Sequence, residues 1–350
     1  MSETTPLVVL ITSPLEPEYV AQIADAFPGE IELIYRDDLV PAPRYRGDHG
    51  HYPRGLAGKQ QEEWLALLSR ADVLFDFPEY EARPFGELCP RVKWVQTSSA
   101  GVGPMVRDLG LQDTDLLVTT ASGLHAQPLT EFAFAAILYH SKELGRLQNE
   151  QLERSWQRFS GRELAGTTIA IIGPGRIGQE VARVARAFRM RVVALGRTSD
   201  PSRASELGVD RMYSRSELHD MLGEADYLVL CAPHTPETDT IMDAAAFAAV
   251  KPGLGLINIG RGALVDEDAM LAALQDGRVA FAALDVFRQE PLPPSSPFWA
   301  QPNVLINPHS ASTVDTENAK LTARFIDNLR AYLDGRISDM GPVLDKRRLY

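Results

Sequence analysis

Short apolar runs rich in Val, Ile and Leu recur along the chain, with stretches of helical periodicity between them. The first series is Leu7–Ile11, Ile31–Tyr35, Val73–Phe77, Trp94–Ser98 and Leu116–Thr120. The second is Thr168–Ile172, Val192–Leu195, Tyr227–Cys231, Gly255–Ile259, Phe281–Val286 and Val304–Ile306. Near-continuous apolar runs of this kind suit strands covered on both faces, and their alternation with helices predicts an α/β fold with parallel sheets. Two series predict two doubly wound units. Between them Phe132, Ala135, Ala136 and Tyr139 stand at helical spacing within 123–145, which predicts a helix crossing from one unit to the other. Near the end Leu321, Phe325, Leu329 and Tyr332 repeat every three to four residues, predicting a helix that returns to the first unit.

The segment Gly173-Pro174-Gly175-Arg176-Ile177-Gly178 closes the first strand of the second series. It opens a helix-forming stretch, Gln179–Ala185, and a further strand, Arg191–Leu195, follows. In that setting G-x-G-x-x-G is a dinucleotide fingerprint, whereas alone it would be weak. Gly173 permits the tight turn, Gly175 lets the backbone approach a pyrophosphate, and Gly178 lets helix and strand pack closely. The helix N-terminus turns free N–H groups and a positive dipole end toward the anion. The expected architecture is a Rossmann dinucleotide-binding domain, residues 123–318, inserted into a flavodoxin-like substrate domain, residues 1–122 and 319–350. The cleft between them is the default active site.

The next strand bears on cofactor choice. An NAD site carries Asp or Glu about 20 residues after the glycines, to hold the ribose 2′-hydroxyl. Here Gly196 stands at that place, followed by Arg197, Thr198 and Ser199, which suit a 2′-phosphate. NADP(H) is the expected cofactor, with NAD(H) tolerated by the neutral glycine.

Three polar segments follow predicted strands of the second series: Asn258–Asp266, Asp285–Pro291 and Asn307–Ala311. Ligands of open α/β sheets bind outside the carboxyl ends of the strands, so these segments can converge. Arg261 offers a planar fork to a carboxylate or carbonyl oxygen. Protonated His309 can give its proton to a carbonyl oxygen as hydride reaches the carbon, and Glu290 would hold the imidazolium and raise its pKa. Each has a structural alternative: Arg261 a surface residue at a helix start, Glu290 a loop carboxylate, His309 a helix cap. His125 and His234, in loops that border the cofactor region, are weaker candidates than His309.

Composition narrows the field. With 45% hydrophobic and 23% charged residues, the 350-residue chain has the make-up of a globular protein, and no apolar run reaches the length of a membrane span. The first residues lack the basic and apolar pattern of a signal peptide, so a cytoplasmic protein is expected. Cys89 and Cys231, far apart in sequence, are expected to be free thiols. A net charge of −12 argues against nucleic acid as a partner, while a few arginines in a cleft still accommodate a small anion. The loop Pro41–Gly58 is read as a mobile surface or cleft-edge segment; its His49 and His51 lack further ligands at metal spacing, so no metal is expected.

GPGRIG at 173–178, NIGRGALVDEDAML at 258–271, ALDVFRQEP at 283–291 and NPHSA at 307–311 together resemble the D-isomer-specific 2-hydroxyacid dehydrogenase family, over nearly the whole chain. The resemblance implies catalytic roles for Arg261, Glu290 and His309. It implies that Ser99, Ala100, Gly101 and Val102 bind a substrate carboxylate through backbone N–H groups. Cys231, Ala232, Pro233, Ile259 and Gly260 would line the cofactor, with Asp285 beside the nicotinamide carboxamide. It further implies a homodimer through the nucleotide domain and a small anionic 2-keto or 2-hydroxy acid as substrate. Gly103, where many relatives have Asp, and Phe132, where a relative has His, depart from the family pattern. Glu290 counts against formate oxidation, and the little chain after the last helix against an appended regulatory domain. The leading expectation is reduction of glyoxylate or hydroxypyruvate with NADPH. The alternatives are NAD-dependent oxidation of a D-2-hydroxy acid or 3-phosphoglycerate, and a nucleotide-sensing corepressor-like interaction protein.

Overall fold

β1 (Leu7–Ile11) pairs in parallel with β2 (Ile31–Ile34) on one side and β3 (Val73–Phe75) on the other, and β4 (Trp94–Gln96) and β5 (Leu117–Thr119) extend the sheet. The computed structural model describes residues 6–49, 55–78, 83–196 and 198–349. The first sheet has the order β2-β1-β3-β4-β5. The second contains β6 (Thr168–Ile172), β7 (Arg191–Leu195), β8 (Arg211–Tyr213), β9 (Tyr227–Leu230), β10 (Leu254–Asn258), β11 (Val279–Leu284) and β12 (Val304–Ile306), in the order β12-β11-β10-β9-β6-β7-β8. Every strand pairing within both sheets is parallel.

The chain divides into two compact units, one holding the described residues up to Leu124 and from Thr313 onward, the other His125–Ser312. The second is inserted in the sequence of the first. Segment 313–318, expected with the inserted unit, belongs to the first, because Asn318 donates to Glu16 (2.7 Å) and bonds His49 (2.6 Å). The returning helix Glu317–Leu333 buries Leu321, Phe325 and Leu329 against Val9, Ile11 and Trp94, and the Phe325 ring stacks on Trp94 at 5.3 Å.

The crossing helix forms as Ala126–Ser141, but its buried stripe is rotated from the expected one. Ala133, Phe134, Ala136 and Ile137 are buried against Val181, Ala182 and Ala185 of the helix Arg176–Ala187, while Ala135 is exposed. The strand β8 was not expected. It is three residues long, begins with an exposed Arg211 and lies at the sheet edge, so it carries too little apolar pattern to stand out.

The segment Pro41–Gly58 is more anchored than expected where it is described. Asp48 is buried and takes the Arg44 backbone N–H (2.9 Å), and His49 bonds Ser13 (3.1 Å) and Asn318. His51 lies outside the described residues. Among the described residues no group of three or more His, Cys, Asp and Glu could hold a metal, and no helix is long and apolar enough to cross a membrane. Cys89 and Cys231 are both buried and unpaired.

Candidate active site

The glycine-rich turn connects β6 to the helix Arg176–Ala187, and its glycines divide by what surrounds them. At Gly173, φ is +101° and a Cβ would lie 2.5 Å from the Ala232 backbone nitrogen. At Gly178 a Cβ would lie 2.5 Å from the Gly173 carbonyl oxygen and 3.0 Å from Ile171 Cγ2. Both must be glycine for the turn to close and the helix to meet the strand. At Gly175, by contrast, φ is ordinary and a Cβ would meet nothing within 4 Å. That open space faces the start of a 12-residue helix with no side-chain cap. The arrangement fits a dinucleotide pyrophosphate.

At the end of β10 the buried Asn258 organises the next loop. Its Nδ2 donates to the Arg261 carbonyl (3.1 Å) and its Oδ1 accepts from Gly260 N (3.1 Å). Arg261 Nη1 donates to the Gly260 carbonyl (2.7 Å), and its guanidinium takes no other partner among the described residues. Burial lowers the Arg261 pKa, opposed by the nearby Glu290 and Asp285 charges; the group remains a cation. Gly262 lies directly against the backbone of the following loop, where a Cβ would fall 1.9 Å from the Phe287 carbonyl carbon. The β10 and β11 loops therefore touch backbone to backbone.

The buried Asp285, just past β11, fixes the third loop. Its Oδ1 accepts from Asn307 Nδ2 (2.6 Å), Ser310 N (2.9 Å) and Ala311 N (3.0 Å). Between these anchors His309 has a left-handed backbone, φ +52°, with its N–H donated to Asp285 O at 2.9 Å. That conformation is uncommon for a residue with a Cβ and is held by its surroundings. His309 Nδ1 pairs with Glu290 Oε2 at 2.7 Å, and Glu290 Oε1 accepts from Phe287 N at 2.9 Å. The Glu290 hydrogen bond raises the His309 pKa; burial opposes it, Glu290 and Asp285 charges add to it, and Arg261 detracts. Burial alone would push the Glu290 carboxyl up, but the bonds from His309 and Phe287 N and the neighbouring positive charges leave it lowered. His309 Nε2 has no partner among the described residues.

The remaining cofactor candidates occupy the same carboxyl edge or the ends of neighbouring strands. Cys231 is buried after β9, its Sγ donating to Gly173 O (3.1 Å), and burial pushes the thiol up to about 12, so it stays neutral. Ala232 abuts Gly173, Pro233 is exposed, Ile259 is buried in the core, and a Cβ at Gly260 would lie 3.0 Å from Ala232 O. Gly196 N donates to Tyr213 O (2.9 Å), Thr198 and Ser199 are exposed, and Arg197 lies outside the described residues.

In the first unit Ser99, Ala100 and Gly101 are exposed after β4, with Val102 buried. Ser99 O accepts from Ala121 N (3.2 Å) and Thr97 Oγ1 (2.6 Å), and Gly101 N donates to Ser99 Oγ (3.2 Å). Gly103 departs from the family pattern for a steric reason: a Cβ there would lie 2.1 Å from the Leu349 carbonyl oxygen. No motif singles out Asp76, which is buried beside this loop with φ +74° and takes the Ser98 hydroxyl. A lone carboxylate between Phe75 and Phe77 at a strand end is the signal that could have marked it.

Residues 134–311, half of the chain, match the family described as "D-isomer specific 2-hydroxyacid dehydrogenase, NAD binding domain". The chain is 31% identical to a glyoxylate/hydroxypyruvate reductase B of Yersinia enterocolitica over 317 residues, covering 88% of this chain and 95% of that protein. It is 32% identical over 316 residues to a D-3-phosphoglycerate dehydrogenase of Mycobacterium tuberculosis, covering 89% of this chain but 54% of the relative. The chain thus spans about half the length of the mycobacterial proteins it matches. Among solved structures, an NADPH-dependent glyoxylate/hydroxypyruvate reductase of Sinorhizobium meliloti, in complex with NADP and sulfate, superimposes with a TM-score of 0.74 at 27% identity. That match covers 98% of this chain and 100% of the other.

Proposed function

The chain belongs to the D-isomer specific 2-hydroxyacid dehydrogenase family, and from that premise we propose that it reduces small 2-keto acids such as glyoxylate or hydroxypyruvate to D-2-hydroxy acids, preferring NADPH to NADH. The observation that carries this reading is the His309–Glu290 pair at 2.7 Å, with Arg261 in the adjoining loop. Glu290 occupies Nδ1, which leaves Nε2 as the atom that donates a proton to the carbonyl oxygen. Arg261 holds the substrate's oxygens with guanidinium N–H groups that no described residue takes. When bound, the nicotinamide cofactor supplies the hydride that reaches the carbonyl carbon. The proton from His309 completes the hydroxyl, and in the reverse direction neutral His309 takes it back.

In this reading the exposed backbone of Ser99, Ala100, Gly101 and Val102 receives the substrate carboxylate. Asp285, with Oδ1 committed to its own loop, offers Oδ2 to the carboxamide. The NADPH preference rests on Gly196 in place of a carboxylate, the cationic Arg197, and the exposed hydroxyls of Thr198 and Ser199. The small-acid substrate is supported by the likeness to the Yersinia reductase, at 31% identity, and to the NADPH-dependent Sinorhizobium reductase, with a TM-score of 0.74 at 27% identity. Self-association through the second unit is part of the same proposal. The helix Leu144–Leu152 buries none of its residues, and Leu152 and Trp156 are 83% and 95% exposed.

The test is consumption of NADPH and NADH, followed by absorbance, against glyoxylate, hydroxypyruvate, pyruvate, branched and aromatic keto acids, with 3-phosphoglycerate oxidation in parallel. Faster turnover of the smallest keto acids with NADPH is expected. Turnover of 3-phosphoglycerate alone would replace the substrate. Cofactor binding with no turnover of any acid would overturn the enzymatic reading.

A further inference from the structure

Arg288 lies between two residues that build the site: Phe287, whose N–H holds Glu290 Oε1, and Glu290 two positions later. Its guanidinium spans three loops at the carboxyl edge of the second sheet. Nε donates to Val265 O at 2.7 Å, and Nη2 to Thr240 Oγ1 at 2.6 Å and Ala263 O at 3.1 Å. Its backbone N–H donates to Glu267 Oε1 at 2.8 Å. These acceptors are themselves fixed: Thr240 N donates to Ala263 O (2.8 Å), Met242 N to Leu264 O (3.0 Å) and Val265 N to Gly262 O (3.1 Å). Among the described residues no carboxylate forms an ion pair with the Arg288 guanidinium, so its bonds go to oxygens that mark positions rather than to an opposite charge.

We propose that Arg288 is a positioning residue, which clamps the loop bearing Glu290 onto the loop bearing Arg261 and so keeps the Glu290 carboxylate on His309. A second observation stands apart from its side chain. The Phe287-Arg288 backbone fits against Gly262 so closely that a Cβ there would be 2.4 Å from Arg288 N. The clamp therefore presses together two surfaces shaped for contact, and it acts beside the Glu267 bond and the buried Phe287 side chain, which anchor the same loop. Lysine can replace it only in part: one ammonium cannot reach all the acceptors spread along a fork. The proposal rests on the catalytic reading above for its consequence in rate, but its geometric part is testable without turnover.

The experiment is an NMR titration of the His309 imidazole in wild type, Glu290→Gln, Arg288→Ala and Arg288→Lys, with His309→Asn used to assign the signal. The charged groups facing that ring are Glu290, Asp285 and Arg261, and only the first sits on the clamped loop beyond Arg288. Glu290→Gln should lower the His309 midpoint. Arg288→Ala should reproduce at least half of that fall, and Arg288→Lys less of it. With glyoxylate and NADPH, Arg288→Ala should lose about tenfold in kcat while the KM for NADPH holds. An Arg288→Ala midpoint equal to wild type overturns the proposal. If Arg288→Ala does not fold, Arg288→Lys carries the same test, and a midpoint unmoved there overturns it. If wild type and His309→Asn turn over keto acids equally, the catalytic reading fails, while the titration still decides the clamp.

Discussion

The three fingerprint glycines should respond to alanine in two different ways. At Gly173 a methyl adds a left-handed backbone, about 1–2 kcal/mol, to overpacking against the Ala232 nitrogen 2.5 Å away, about 1–3 kcal/mol. At Gly178 the overpacking alone applies, against the Gly173 carbonyl at 2.5 Å. For a unit the size of His125–Ser312, about 2–4 °C of melting temperature is lost per kcal/mol. Gly173→Ala should therefore melt roughly 4–20 °C lower, and Gly178→Ala roughly 2–12 °C lower. Gly175→Ala meets no atom. Losing a fair N-cap and stiffening the unfolded chain are effects of about 1 kcal/mol or less each and of opposite sign, so its melting temperature should hold. Its methyl would stand where the pyrophosphate must approach. Loss of one charge-assisted bond, about 1.5–3 kcal/mol, should raise the NADPH Kd about tenfold to a hundredfold. Calorimetric melting and titration of the three variants check this. A Gly175→Ala variant that binds NADPH as wild type does, or melts as Gly178→Ala does, would refute the reasoning.

Glu290→Gln removes the group that raises the His309 pKa. Reduction needs the protonated ring, so its activity is present below that pKa and fades as pH rises through it; the alkaline limb should move down toward about 6.5, and an unmoved limb would count against the pair. In the oxidative direction the acid limb should shift the same way, since neutral His309 is then the active form. Arg197→Asp should move the ratio of kcat/KM values toward NADH by an order of magnitude or more, about 1.4 kcal/mol per tenfold; an unchanged ratio would dismiss the 2′-phosphate assignment. Leu152→Ser with Trp156→Ser should lower the self-associated fraction in sedimentation without lowering the melting temperature of the isolated unit's core. A wild-type chain already monomeric at micromolar concentration would remove that part of the proposal.

The sequence made the sheets legible because parallel strands are apolar on both faces: β6, β9 and β10 lack a single exposed residue. Parallel pairing brings the carboxyl ends of the strands of a sheet to one edge, whereas the order of the strands is seen only in the structure. What stayed hidden depends on contacts between distant segments. The return of the chain at Thr313 is set by Asn318 meeting Glu16 and His49, more than 260 positions away. Gly103 looked like a departure in a substrate loop, yet Leu349 occupies the space a side chain would need. Asp285, expected beside the cofactor, is also tied to the loop of His309 by three hydrogen bonds on one oxygen. No local periodicity carries such information.

The triad candidates also differ in what holds them. Arg261 leans on its own loop through Gly260 O, and Glu290 is fixed by Phe287 N and by the clamped backbone around it. His309 is held in a left-handed conformation that an L-residue adopts only when its surroundings over-determine it. Asp285 supplies that constraint twice over, through its carbonyl to His309 N and through its carboxylate to Ser310 N and Ala311 N. A ring that served only to fill space at an exposed edge would gain little from such a cradle, since 47% of the His309 side chain remains accessible. The cradle fixes the direction in which Nε2 points, and direction matters for proton transfer rather than for stability. The strain at His309 and the donors of Arg261 that no described residue takes therefore favour a site selected for chemistry over a loop selected for folding.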